Sequence, residues 1–365
     1  VRRVATIGAL LALIPALISY ASTMVQRSDS TFSIRSLEWV TSNGGRGLVN
    51  RIESIYYSMT APSKGGPALR SLPNQPGSVA SIRAVRHHRI PHYEPPKIKP
   101  VIHPALPGEG VWRSTFTGHH GPPPVLITSF RPEPSYPQLV AGVAWIDHTE
   151  TTTWLYPGIQ EPAVPMASRG PEEVPMSMRG RLVATFNSAF KLSDSGGGFA
   201  SGGHTYAPLK TGIATFVRYR NGQVNVIAWN GGPDAGPNIV YARQNLPLII
   251  DNGRVNPNLS DGPEWGATLG NAVQVWRSAV GVDRHGNLIY GAADYQTVAS
   301  LAAIMRHAGA VRAMELDINA YWPSFITYRR AGAQGARNLL PDMIRSPLRY
   351  LTPEDRDFFA VYLKR

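Results

Sequence analysis

No cysteine occurs among the 365 residues. Disulfides, thiol nucleophiles and Cys-based zinc sites are thereby excluded. The absence says little about compartment, because exported proteins need not use disulfides. Two catalytic signatures are missing as well. Gly-x-Ser-x-Gly does not occur, which weighs against a serine hydrolase. The glycine stretch Gly196-Gly197-Gly198 and Gly202-Gly203 is not followed by Gly-Lys-Ser/Thr, so it is no phosphate P-loop; it reads as a surface hairpin or a lid. There is no exact internal repeat. Acidic residues are outnumbered, 24 against 36 Lys and Arg, for a formal charge of +12. Such a balance favours anionic surroundings such as phosphate-rich polymers, nucleic acid or lipid headgroups.

Much of the basic excess lies between residues 61 and 107. Lys64, Arg70, Arg83, Arg86, Arg89, Lys97 and Lys99 stand there against one acid, Glu94, in a proline-rich context. That composition predicts an extended, semi-rigid spacer rather than a packed core. His87, His88, His92 and His103 fall inside it, where a disordered basic spacer disfavours a metal site, and His119-His120 precede three prolines without nearby acids at ligand spacing; no metal or cofactor is expected.

At the N-terminus, Arg2 and Arg3 precede an uncharged run from Val4 to Val25. The run is long enough for a membrane-spanning helix, and the charge order places the N-terminus inside and the following domain outside. A cleaved signal peptide ending near Ser19-Tyr20-Ala21 is the alternative. Residues 27–60 then read as a short amphipathic helical region broken at Gly44-Gly45, suited to a membrane surface, a partner, or spacing alone. The expected organisation is an anchor or signal peptide (1–26), the helical region (27–60), the linker (61–107) and one folded domain (108–365).

Within that domain, strand-like runs cover 125–130, 140–146, 152–156, 182–186, 212–219, 224–229, 248–251 and 273–282. Asn221-Gly222 signals a hairpin, and His285-Gly286 another turn. From Asn287 the pattern changes to strand, helix, strand. Thr297 caps a helix with Val298, Leu301, Ala302 and Met305 on one face, Gly309 ends it, and Val311 to Ile318 forms the second strand. This βαβ unit should be parallel and right-handed, with ligands at the carboxyl ends of the strands, where Asp294, Glu315, Asp317 and Asn319 lie. The fold class is α+β (or α/β), a mixed, strand-rich sheet core with a βαβ crossover.

Three segments carry a resemblance. Phe186-Asn187-Ser188-Ala189-Phe190 resembles the Asn-Gly-Gly-Phe-type motif of the phosphodiester glycosidase family. Arg277-Ser278-Ala279-Val280-Gly281 is similar to its Arg-Thr-Ala-Ile-Gly segment, and Ala308-Gly309-Ala310 through Leu316-Asp317 to its Gly-Ala-x-x-Ala-x-x-Leu-Asp segment. They occur in family order over roughly 108–328, in what looks like a membrane-anchored actinobacterial branch. The chain departs where the family runs through glycines and serine after Leu-Asp. Here it reads Ile318-Asn319-Ala320-Tyr321-Trp322-Pro323-Ser324, so that Tyr321 and Trp322 would narrow the pocket or stack on a sugar face.

The resemblance implies an exported, membrane-tethered hydrolase that cleaves a sugar-1-phosphodiester or a related envelope glycan. The alternative is a glycan- or polyanion-binding module with the same fold and no turnover. Carbohydrate or phosphoglycan is the expected partner, with membrane contact through the N-terminal helix and no nucleic acid. The catalytic candidates are Asp317 as principal carboxylate, Glu315 as acid partner or orienter, Arg277 for phosphate or as a structural salt bridge, and Asn187 as a donor to a substrate oxygen or as the residue that holds its loop in a left-handed turn. Asp294, Asn319, Lys191, Arg243 and Trp322 are the candidates for substrate contact.

Overall fold

A computed structural model describes residues 2–73, 78–79, 92–119, 121–260, 262–266 and 273–364. The basic stretch 80–91, with His87 and His88, lies outside the described residues, as does His120. The chain divides into two compact units, residues 1–60 forming most of one and residues 61–365 most of the other.

In the first unit, helix α1 (Arg2–Val25) contains Pro15, and α2 (Phe32–Val40) and α3 (Arg46–Thr60) are separated by a break at Thr41–Gly45 where Gly44 takes φ +90°. The Trp39 indole N–H donates to Ser19 Oγ at 3.0 Å, and the Tyr20 and Ser36 hydroxyls share a 2.7 Å hydrogen bond, which fastens α2 to α1. The helical region and its glycine break are thus as the sequence predicts. Among the described residues, no helix is long and apolar enough to cross a membrane, and the expected spanning helix finds no support.

Among its described residues, the second unit contains three sheets. Its principal strands are β1 (Val125–Phe130), β2 (Ala141–Ile146), β3 (Thr151–Tyr156), β4 (Leu182–Asn187), β5 (Phe199–Ser201), β6 (His204–Ala207), β7 (Ala214–Tyr219), β8 (Val224–Ala228), β9 (Ile239–Gln244), β10 (Leu248–Asp251), β11 (Val275–Val282), β12 (Leu288–Gln296), β13 (Arg312–Glu315), β14 (Phe325–Thr327) and β15 (Phe358–Leu363). The largest sheet has nine strands, with β1-β2-β12-β11-β13-β10 at its centre and short strands at its edges. A second sheet runs β8-β7-β9-β5-β6. A third runs β14-β4-β15-β3, with the short strand Arg337–Asn338 beside β14.

The crossover helix Val298–His307 forms as its sequence dictates. Thr297 Oγ1 accepts from Ser300 N–H, and Ser300 Oγ accepts from Thr297 N–H in return, closing a capping box. Val298, Leu301, Ala302, Ile304 and Met305 are buried against Ala279, Ile289, Ala293 and Ala313 of the large sheet. Full burial of the larger of these side chains contributes about 1.5–3 kcal/mol each. Gly309, at φ +96°, turns the chain back. Strands β12 and β13 are parallel in direction, but β11 lies between them and pairs antiparallel with both. Antiparallel neighbours throughout the described ladders make this the α+β form of the two expected. The Asn221-Gly222 turn joins β7 and β8 with Gly222 at φ +87°. The glycines 202 and 203 turn the β5–β6 hairpin rather than a lid.

The proline-rich stretch behaves differently from the free spacer its composition predicts. From residue 92 onwards it lies against the large sheet. Ile98 is 2% exposed within the cluster that underlies the crossover helix, and Tyr93, Val101 and Trp112 pack beside it. Glu109, fully buried, takes both the Nε and Nη2 donors of Arg131 at 3.2 and 2.9 Å. His92 Nε2 lies 2.8 Å from Asp147. A few apolar side chains and one buried ion pair are enough to dock a segment whose backbone is already stiff, because little chain entropy remains to be lost.

Candidate active site

The last residue of β4 organises the site. Asn187 is 4% exposed, and its side-chain amide donates to Ser278 Oγ (3.1 Å) and Ser188 O (3.0 Å). Its Oδ1 accepts from Tyr290 OH (2.9 Å) and Ser324 N–H (3.0 Å). These four bonds use the full capacity of a carboxamide. Ser278 Oγ in turn donates to the Asp317 carbonyl at 2.7 Å, and Asp317 N–H donates to Ser188 O at 3.2 Å. Segments from β4, β11, β12 and the loop after β13 are therefore pinned together. The Asn187 side chain thus pins these segments together, but its backbone does not take the left-handed conformation that the sequence left open.

Arg277 and Glu315 meet behind this frame. The guanidinium donates to Glu315 Oε1 at 2.5 Å, to Gln296 O at 2.9 Å, to Trp265 O at 3.0 Å and to Val273 O at 3.1 Å. Arg277 is 2% exposed and Glu315 fully buried. Arg277 shares its strand face with Ala279, whose neighbours are the crossover helix, so the arginine points beneath the sheet. Its donors are engaged within the protein, and of its two expected roles the structural salt bridge matches these contacts.

Burial pushes the Glu315 carboxyl up to about 7, against the pull of Arg277 and with a further push from Asp317. Its Oε2 has no hydrogen-bond partner. Because the folded pKa lies above the unfolded carboxylate value, the folded state holds a proton that the unfolded state releases between those two values. Ionisation then opposes folding progressively as pH rises through that window. Glu315→Gln should remove this slope. Measured by urea denaturation, the variant is expected to gain stability relative to wild type from pH 4.5 to pH 7, and parallel curves would refute the assignment.

Asp317 sits two residues past the end of β13, not within the strand as the sequence reading has it. It is 6% exposed, and its Oδ1 accepts from Asn319 N–H at 3.0 Å. Burial raises its pKa, opposed by the Arg356 guanidinium, the Asn319 hydrogen bond and Lys191, while Asp194 raises it further. Of the predicted contact residues, Asn319 is thus bonded to Asp317, and the charge of Lys191 lowers its pKa.

The others are placed differently. Arg243 is fully buried. It pairs with Asp357 at 2.8 Å and donates to Phe190 O at 2.5 Å, which fixes the backbone just before Lys191. Trp322 is 3% exposed and presents almost no face to a sugar. The guanidinium of Arg356 lies 4.5 Å from its ring centroid instead, with Arg345 and Arg349 at 5.2 and 5.5 Å. Asp294 accepts from Tyr295 N–H, and the donors of Arg277 go elsewhere. Burial pushes Asp294 up to about 6, with Asp342 adding to the rise.

Sequence reasoning missed Arg356 and Asp357, which precede β15 without any motif around them. Among the described residues, no group of three His, Asp or Glu side chains could hold a metal.

Gly266 lies close against Phe190 and Ile318. It adopts φ +84°, and a Cβ there would meet the Phe190 ring at 2.7 Å and Ile318 Cδ1 at 2.8 Å. Gly266→Ala should cost about 1–3 kcal/mol through the forced φ and the overpacking. A melt that matches wild type would contradict this close approach.

The profile of the phosphodiester glycosidase family matches residues 174–317. No curated protein matches the chain. Among solved structures, the catalytic domain of zebrafish N-acetylglucosamine-1-phosphodiester alpha-N-acetylglucosaminidase, auto-inhibited by its pro-peptide, is 14% identical over 68% of this chain and 87% of that one, with a TM-score of 0.43. A hypothetical protein from Synechocystis is 15% identical over 62% and 59% of the respective chains, with a TM-score of 0.36. The Asn187, Arg277 and Asp317 segments all lie inside the matched span. Over residues 174–317, then, the chain carries the sequence pattern of the phosphodiester glycosidase family.

Proposed function

We propose that this protein is a hydrolase that cleaves the bond between an anomeric carbon and a phosphodiester oxygen, with Asp317 as the carboxylate at the reacting carbon. The observation that carries the reading is the setting of Asp317. It is held by Ser278, Ser188 and Asn319, its position depends on the Asn187 pin, and cationic Arg356 and Lys191 act on it. The family profile supports a glycosidase-type activity.

The chemistry fits one working carboxylate. A departing phosphomonoester is the conjugate base of an acid whose second pKa is about 6, so it leaves without a strong proton donor. What the reaction needs is stabilisation of an oxocarbenium-like carbon and delivery of water to it. In the balance, the C1–O bond breaks, water oxygen joins C1, one water proton is taken up by the site, and the phosphate leaves with the bonding pair. Glu315 is sealed with Arg277, and the charge of Asp317 raises its pKa.

The substrate to try first is an α-linked N-acetylglucosamine-1-phosphodiester, the linkage named for the zebrafish relative. Release of free sugar and phosphomonoester by the purified protein is the expected result. Binding of the diester with no turnover would instead favour the glycan-binding alternative. Export and attachment to the cell envelope belong to the same proposal. They rest on Arg2 and Arg3 ahead of the uncharged run to Val25, and protease accessibility on intact cells tests them.

A further inference from the structure

We propose that Arg349 is a positioning residue for Asp317: its guanidinium, locked by Glu354, holds the loop 317–324 in the shape that keeps the Asp317 carboxylate aimed. The inference rests on the hydrolase reading above for the role of Asp317, but the hold on the loop can be tested without turnover.

The loop itself shows why a hold on it reaches the carboxylate. Both of its ends are fastened to the end of β4. At the start, Asp317 N–H donates to Ser188 O at 3.2 Å, and Asp317 O accepts from Ser278 Oγ at 2.7 Å. At the finish, Ser324 N–H donates to Asn187 Oδ1 at 3.0 Å, and Asn187 N–H donates to Ser324 O at 3.1 Å. Two Asx turns follow one another in between: Asp317 Oδ1 accepts from Asn319 N–H and Asn319 Oδ1 from Tyr321 N–H, each at 3.0 Å. Trp322 N–H then closes onto Asn319 O at 2.7 Å. The first of these turns uses the Asp317 carboxylate, so its orientation is set by the loop backbone, and a shift at Trp322 travels to it through Asn319.

Arg349 grips the far half of that loop. Its Nη1 donates to Trp322 O at 3.1 Å and to Ser324 Oγ at 3.3 Å, while the Tyr350 hydroxyl shares a 2.7 Å bond with the same Ser324 Oγ. The other edge of the guanidinium forks onto Glu354, Nε to Oε2 at 2.8 Å and Nη2 to Oε1 at 2.6 Å. A planar guanidinium with two nitrogens fixed by a carboxylate has no rotation left for the third. The short turn Arg349–Leu351 is tied down in its turn, with Val174 N–H donating to Tyr350 O at 2.8 Å and Arg179 Nη2 to Leu351 O at 2.6 Å. Arg349 and Glu354 are both buried, so the arginine acts through the loop rather than by touching a substrate.

The test compares full-length wild type with Arg349→Lys, Ser324→Ala and the control Arg131→Lys. Arg349→Lys keeps a cation beside Glu354, but one ammonium cannot fork onto that carboxylate and also reach Trp322 O and Ser324 Oγ. On the α-linked N-acetylglucosamine-1-phosphodiester its kcat should fall about tenfold to a hundredfold with KM unchanged, because misplacing a reacting group by about 1 Å costs about a hundredfold. Hydrogen exchange of the 317–324 segment, read by mass spectrometry, should quicken in the same variant. Ser324→Ala removes one of the loop's own contacts and leaves the Arg349–Glu354 pair intact, so it should move both readouts the same way by less. It carries the test if Arg349→Lys does not melt cooperatively. Arg131→Lys breaks an equally buried fork, on Glu109, whose other partners Ile102 and Pro104 belong to the segment before it. This control should lose stability yet keep wild-type kcat and wild-type exchange over 317–324.

Unchanged exchange in both loop variants overturns the hold, and so does faster exchange beside a wild-type kcat, since the loop would then move without disturbing the chemistry. A raised KM with kcat kept would place Arg349 at the substrate and overturn the positioning role. A matching loss of kcat in Arg131→Lys would reduce the effect to general stability and overturn it as well. If exchange responds as expected while wild type cleaves no phosphodiester, Arg349 stands as the holder of the loop and the hydrolase reading falls. If wild type cleaves the diester and neither loop variant slows it, the hydrolase reading stands and the positioning role falls.

Discussion

Asp317→Asn is expected to lower kcat by about a thousandfold, within the range for a group that works at the reacting atoms. The fold should survive the change. Asparagine offers an oxygen to the Asn319 N–H, and the backbone bonds of Asp317 to Ser278 and Ser188 do not involve its side chain. Because burial already disfavours the charged form, the amide also removes a desolvation cost, so thermal stability should hold or rise. The informative pair is therefore kcat beside the melting temperature. Turnover within about tenfold of wild type in a well-folded variant would remove Asp317 from the chemistry, since a reacting carboxylate is worth more than that.

Arg277→Met has the largest expected effect on stability. The substitution strips four hydrogen bonds and leaves Glu315 fully buried without its counter-charge. Breaking a buried ion pair from one side costs about 3–5 kcal/mol, and the double variant Arg277→Met with Glu315→Leu should recover a substantial part of it. Urea denaturation of the two single variants and the double variant completes the cycle. A phosphate-binding arginine would behave in the opposite way, with a raised KM and nearly unchanged stability. That outcome would put Arg277 back at the substrate.

These two residues show what can be read from sequence and where reading stops. The Asn187 and Asp317 segments are legible because each combines a motif with a strand end. The crossover helix is legible because cap, apolar spacing and terminating glycine all agree. Arg277 is legible as a residue but not as an orientation. Alternation along β11 separates two faces, yet only the packed structure decides which face the helix covers. Arg356 lies in a non-periodic stretch before β15; it meets the ring of Trp322, and its neighbour Asp357 pairs with Arg243, both far away along the chain. No local pattern encodes that. The strands not foreseen, β5, β6, β9, β14 and β15, are between three and six residues long; β5 and β6 form a short hairpin, and β14 and β15 pair with β4, far away in the chain.

The stretch before residue 108 decides where a recombinant domain should begin. Gly110 at φ +71° donates its N–H to Ser129 and accepts from Ile98 N–H, stitching the segment to β1. A Cβ on Gly110 would stand 2.0 Å from the Ile98 carbonyl, so the seam is drawn as tight as backbone allows. A protein cut at the compositional border would expose the sheet surface that Ile98 and Tyr93 cover and would leave Asp147 without its histidine. Its loss of solubility or melting temperature, compared with a version starting at residue 61, would measure how much of the domain's cohesion resides in a region that composition alone marks as mere tether.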